Sequence, residues 1–168
     1  MNRPEVVPED FETTLRDRLV GRIAVMGIGN VMRCDDGLGV HLVNSLRLAS
    51  PSPDVGLFAC EMTPENFLGP VTEFQPNTIL MIDAAELGEP PGSARLVDAR
   101  EIEDSGLTTH TLSLRLLATM LESATYAKVV LLAVQPKTRD FGTEVSPEVR
   151  ETLDYFAELL QTILRREA

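Results

Sequence analysis

Basic side chains are scarce in this sequence. Lys and Arg together number 15 against 26 Asp and Glu, giving a net charge of -11 over 168 residues. That balance argues against nucleic acid as a partner, because phosphate binding needs clustered cations. It suits a protein that attracts cations or a basic peptide, although most such charge is solvated surface. Cysteine is nearly absent: Cys34 and Cys60 are the two present, and their spacing is neither that of a metal site nor that of a redox pair. Nothing therefore calls for an oxidising compartment. Long apolar runs are also missing, and the longest, Val129 to Val134, is far too short to span a bilayer. The N-terminus is acidic and carries no apolar leader, so the expectation is a cytoplasmic protein without membrane insertion. No internal repeat or low-complexity tract is present. What remains, 43% hydrophobic and 24% charged residues, is the composition of a soluble globular protein of ordinary domain size.

The chain is organised around Ile23 to Val40. An apolar run, Ile23 to Met26, leads into Gly27 and Gly29, and so reads as a buried parallel strand followed by a turn of close backbone approach. Asn30 tolerates the same unusual backbone. Asp35 and Asp36 follow, and a helix over about Asp36 to Ala49 then carries the chain away, with Leu38, Leu42, Leu46 and Ala49 on one face. The acids thus fall at the carboxyl end of a strand, where open α/β sheets bind ligands. A dinucleotide fingerprint fails on spacing, since its third glycine would fall at Met32, and the phosphate-binding Gly-Lys-Ser/Thr is absent. A plain strand-to-helix turn with an acidic cap accounts for one Asp better than for two. A metal-binding or catalytic carboxylate on a rigid corner accounts for the pair. One arrangement has Asp35 capping the helix while Asp36 faces a cleft.

Elsewhere, Met1 to Pro8 reads as a loose tail and Glu9 to Leu19 as a short helix, giving an N-terminal segment over 1–20 and one α/β domain over 21–168. Strands are expected at Val55–Cys60, Thr78–Ile82, Ala94–Val97 (at a sheet edge) and Lys128–Val134. Helices are expected from a Thr63-Pro64 start to just before Pro76, with Leu68, Val71 and Phe74 on the buried face, from about Thr108 onward with Leu112, Leu116, Leu117 and Met120 on its apolar face, and after Ser146-Pro147. His41 reads as a helix-surface histidine. The alternation implies a three-layer α/β fold, with a twisted, mostly parallel sheet of about five strands and helices on both faces. Asp83 is an isolated carboxylate at the carboxyl end of a buried strand, hence either a site residue or a turn-forming Asp. His110, near an expected helix start, would be a neutral ring able to bind metal, or one that merely caps or packs. The topology keeps Asp36, Asp83 and His110 at one end of the sheet.

The segment Gly27-Ile28-Gly29-Asn30-x-x-x-x-Asp35-Asp36-Gly37-x-Gly39 resembles the N-terminal signature of the hydrogenase maturation endopeptidases. Ile82-Asp83-Ala84-Ala85-Glu86-Leu87-Gly88-x-x-Pro91-Gly92 resembles their second motif. Thr108-Thr109-His110 and Gln135-Pro136 match further segments. The likeness covers nearly everything after about Arg22 and is greatest to the branch serving formate-hydrogenlyase and related membrane-bound hydrogenases.

The resemblance implies an aspartic-type or metal-dependent endopeptidase that clips the C-terminal extension from a nickel-iron hydrogenase large-subunit precursor after nickel insertion. It implies that Asp36, Asp83 and His110 form the catalytic and metal-reading set, with nickel supplied by the substrate and another divalent metal conceivable in the isolated enzyme. Such an oxygen and nitrogen set suits nickel or zinc better than calcium or magnesium. Asn30, Asp35, Glu61, Thr63 and Glu86 would line or support the cleft, although capping alone accounts equally for Glu61 and Thr63. There is no Gly-x-Ser-x-Gly and no His-Glu-x-x-His, and Cys34 lies beside an acid pair whose field opposes a thiolate. Which acid acts as base stays open. Two other readings stay open as well: a different metal-dependent hydrolase on the same sheet, and a non-enzymatic nickel carrier or assembly scaffold. Exposed acidic charge and the lack of a spare apolar helix face point to a monomer.

Overall fold

Five apolar stretches pair into one sheet in the order β2-β1-β3-β5-β4. The structure is a computed structural model that describes residues 1–49, 51–102 and 113–165. The strands are β1 (Ile23–Ile28), β2 (Val55–Glu61), β3 (Thr78–Ala84), β4 (Ala94–Asp98) and β5 (Lys128–Val134). Strands β1, β2, β3 and β5 run parallel, and β4 closes one edge antiparallel to β5. The central strands β1 and β3 are buried along their whole length, as the absence of polar alternation in their sequences requires. The helices are α1 (Phe11–Arg18), α2 (Leu38–Leu48), α3 (Leu68–Phe74), α4 (Leu114–Thr125) and α5 (Pro147–Leu164).

Strand alternation divides the core in two. Ile23, Val25, Leu80, Ile82, Leu132 and Val134 point to the side covered by α1, α2 and α5. Ala24, Met26, Ile79, Met81, Val129 and Leu131 point to the side covered by α3 and α4. The expected three-layer, mostly parallel α/β fold with helices on both faces is the observed one.

Three local expectations need correction. The tail is not loose throughout: Pro4 and Val7 are buried, Val7 joins the core, and Phe11 stacks 5.1 Å from Phe156 of α5. Helix α4 begins at Leu114, where Ser113 Oγ accepts from the Leu116 amide, and the start expected near Thr108 lies outside the described residues. Its buried face is Leu114, Leu117, Ala118 and Leu121, leaving Leu116 and Met120 exposed. Finally, α2 is preceded by a short 3-10 turn, Cys34–Gly37, so the acid pair sits before the α-helix and not in its first turn.

The chain reverses its winding between β1 and β3. From β1 it moves outward through α2 to β2, then returns through α3 to lie against the other side of β1. The carboxyl ends of β1 and β3 therefore flank a switch point, the place where an open sheet leaves a crevice.

Candidate functional site

Two close approaches bring the acid pair to that crevice. Gly29 has φ of +132°, and a Cβ there would collide with the Asp36 carbonyl oxygen. A Cβ on Gly39 would collide with the carbonyl oxygens of Ile82 and Ile28, so only glycine lets the first turn of α2 press onto the ends of β3 and β1. The Asp36 turn is thereby held close to the carboxyl end of β3, where Ile82 precedes Asp83.

The neighbouring acids do different work. Asp35 is fully buried. Its Oδ2 accepts from the amides of Lys137 (2.8 Å) and Thr138 (3.1 Å) and from the Ser146 hydroxyl (2.8 Å), while Oδ1 accepts from the Ser146 amide (2.7 Å). Asp35 therefore fastens the loop after β5 and the start of α5. It does not cap the helix that follows it, and the Ser146 hydroxyl donates to this carboxylate instead of capping α5. Asp36, 4% exposed, accepts from the Asn30 amide through Oδ2 (3.0 Å). Its other oxygen, Oδ1, lies 3.3 Å from Arg139 Nε. The Asn30 side chain closes its own turn by accepting from the Met32 amide.

Asp83 pairs with Ala133 in the β3–β5 ladder and is 1% exposed. By strand alternation it shares the α3–α4 side with Met81. Arg139 links the two strand ends, since its Nη2 donates to the Ala84 carbonyl (3.3 Å), next to Asp83, while its Nε faces Asp36. His110, with Thr108 and Thr109, lies outside the described residues. Among the described residues no group of three His, Cys, Asp or Glu side chains is placed to hold a metal ion.

Glu61, the last residue of β2, and Thr63, two positions past it, are exposed. Glu61 takes a left-handed backbone (φ 53°) and offers its carbonyl to the Gly29 amide at 2.9 Å, so its main chain, not its carboxylate, supports the turn. Thr63 occupies the cap position before Pro64 without a side-chain cap bond. Glu86 is exposed, and its Oε1 accepts from Gln135 Nε2 at 2.9 Å. The buried Gln135 also accepts from the Leu87 amide, tying the loop after β3 to the end of β5. Sequence reasoning found Gln135-Pro136 only as a matching pair and did not find Arg139 at all. Nothing in Lys137-Thr138-Arg139-Asp140 marks one cation of a polar loop as special.

His41 is half-buried on α2, and burial together with Arg150 holds its imidazole below the ordinary range. Burial likewise pushes the Cys60 thiol up to about 12, with Arg47 opposing weakly. Cys60 therefore stays protonated at pH 8 and is a poor nucleophile. Iodoacetamide should leave it unmodified in the folded protein and alkylate it readily in urea, as peptide mass mapping would show. Fast alkylation in the native state would contradict the packed environment of β2. A cavity of about 290 Å³ lies at the opposite, amino end of the sheet, lined by Arg18, Asp98, Arg100, Glu122 and Lys128. It mixes both charges and touches none of the acids above.

Fold and site define a doubly wound α/β protein with buried carboxylates at its switch point. A sequence model of the family described as hydrogenase maturation protease matches residues 40–163. The chain belongs to that family. It is similar to the nickel-iron hydrogenase maturation protease HycI of Thermococcus kodakarensis, with 31% identity, a TM-score of 0.85, and 91% of this chain and 99% of that one covered. It is also similar to the hydrogenase 3 maturation protease of Escherichia coli, 27% identical over 128 residues, covering 76% of this chain and 81% of that protein. The solution structure of the endopeptidase HycI from Escherichia coli superposes with a TM-score of 0.71 at 25% identity, over 83% of this chain and 89% of that one.

Proposed function

We propose that the chain is the endopeptidase that removes the C-terminal extension of a nickel-iron hydrogenase large-subunit precursor once nickel has been inserted. In this reading Asp36, Asp83 and His110 sense the nickel carried by the precursor. The observation that supports it most is the placement of Asp36 and Asp83 at the switch point, in a chain of the hydrogenase maturation protease family. The likeness to HycI and to the hydrogenase 3 protease favours the formate-hydrogenlyase branch as the source of the substrate.

Cleavage needs a water activated for attack, a polarised carbonyl and a proton for the leaving amine. Water adds to the scissile carbonyl carbon as a carboxylate takes its proton. The C–N bond then breaks and the amine departs with a proton returned from that acid. The precursor's metal supplies charge stabilisation at the carbonyl or the attacking water. Burial strengthens each of these interactions, because Asp36 and Asp83 are nearly sealed from solvent. No helix among the described residues is long and apolar enough to cross a membrane.

The test is cleavage of hydrogenase large-subunit precursors prepared with and without nickel, reading the mass of the released C-terminal fragment. A single cut confined to the nickel-loaded form is expected. No cut in either form, across several precursors, would favour a metal carrier or scaffold. A cut in both would keep the peptidase and remove the sensing role given to nickel.

A further inference from the structure

The resting site already contains a cation. Arg139 is the one Lys or Arg forming an ion pair with Asp36 among the described residues, and it also reaches the backbone beside Asp83. Its placement is prepared from several directions. Asp35 pins the amides of Lys137 and Thr138, and Arg33 Nε donates to the Arg139 carbonyl (3.0 Å), so the backbone at 139 is anchored on both sides of the acid turn. The side chain is held less firmly. Its Nε faces Asp36 Oδ1 at 3.3 Å without hydrogen-bond alignment, and its bond to Ala84 is equally long. Its side chain is 28% exposed whereas that of Asp36 is 6% exposed. A fixed backbone thus carries a loosely seated guanidinium with a route to solvent. The other nearby cation of the loop, Lys137, is engaged by Glu148 at 2.6 Å.

We infer that Arg139 is an internal counter-ion that competes with divalent metal for Asp36, and so makes the site selective for metal delivered by a precursor. The inference rests on the reading of Asp36 as a metal-facing carboxylate. A buried carboxylate with no opposite charge is costly, so the guanidinium stabilises the resting enzyme. A divalent ion and a guanidinium cannot share one carboxylate without strong repulsion, since the attraction that each gains is offset by like charge at close range. Free metal must therefore displace Arg139 using its own contacts alone. Metal held in a precursor arrives with the peptide's additional contacts, and these offset the displacement. Arg139 is thus a positioning and specificity residue, and no reacting atom passes through it.

Nickel binding to the intact protein, measured by isothermal titration calorimetry, tests this directly. Arg139→Gln should bind free nickel ions about tenfold or more tightly than the wild type. Arg139→Lys, which keeps the charge, should stay close to the wild type. Adding Asp36→Asn to Arg139→Gln should abolish the gain. A residue of merely structural importance would lower affinity when replaced, or leave it alone. Unchanged or weaker binding by Arg139→Gln, with circular dichroism showing a folded protein, would overturn the inference, as would a gain that survives Asp36→Asn. Wild-type cleavage of precursor is scored separately, so a failed peptidase reading appears there and not in the calorimetry.

Discussion

Asp36→Asn removes cleavage of a nickel-loaded precursor while leaving the protein folded. The amide has the shape of the carboxylate, and its oxygen can still accept from the Asn30 amide that holds Oδ2 at 3.0 Å. What disappears is the negative charge. That charge attracts a metal, and in this site it is one of the groups available to take a proton from water. General acid–base catalysis contributes about a hundredfold or more, and metal attraction adds to it, so the turnover rate should fall by at least about that factor. The effect on folding is small by comparison. The charge left without its partner, Arg139, is partly exposed and can turn towards water, so the loss stays below the roughly 3–5 kcal/mol of breaking a fully buried pair. Rates come from the mass-resolved appearance of the C-terminal fragment, and folding from the thermal midpoint. Undiminished cleavage would remove Asp36 from the chemistry. A lost rate accompanied by an unfolded protein would make it a structural acid like its neighbour.

The contrast between these neighbours shows which parts of the molecule a sequence can express. Strands β3 and β5 were legible because each is an unbroken apolar run between polar boundaries, and a parallel strand covered on both faces has no other composition open to it. The crevice was legible because glycines, two acids and a helix start lie within a few residues of one another. The antiparallel edge strand Ala94–Asp98 also emerged at its place, between a Pro-Gly loop and a charged stretch. Residues whose role is set by distant partners were less legible. Asp35 meets donors more than a hundred positions away, and no local pattern separates it from Asp36. Ser146 looks like a helix cap, yet its hydroxyl is taken by Asp35. The apolar spacing assigns Leu116 and Met120 to the buried face of α4, and both are exposed. The helix instead rotates to bury the small Ala118, which permits close packing on the sheet.

Asp35→Asn should unfold the protein more easily than any substitution at Asp36, although the change conserves size. Four donors converge on the Asp35 carboxylate: the amides of Lys137, Thr138 and Ser146, and the Ser146 hydroxyl. Only an ionised carboxylate can accept all of them. An amide offers one accepting oxygen and turns its nitrogen, with two further donors, towards groups that are themselves donors. At a fully buried position the stranded amides are not rescued by water. The loss should be about 3 kcal/mol, the cost of leaving one or two buried donors unpaired. It should be concentrated in the segment from Lys137 to Ser146, because α2 and β1 keep their glycine-mediated contact. Urea unfolding gives the overall change, and amide hydrogen exchange at Lys137, Thr138 and Ser146 gives its location. A midpoint shift worth less than ~0.5 kcal/mol, with those amides still protected, would mean that the loop is anchored by something other than Asp35. The same variant also loosens the backbone that presents Arg139 to Asp36. Its nickel affinity should therefore move in the direction of Arg139→Gln, although Asp35 need touch neither metal nor peptide. One acid of the pair thus governs the site through the position of a loop, and the other through its charge, and the two substitutions separate those roles.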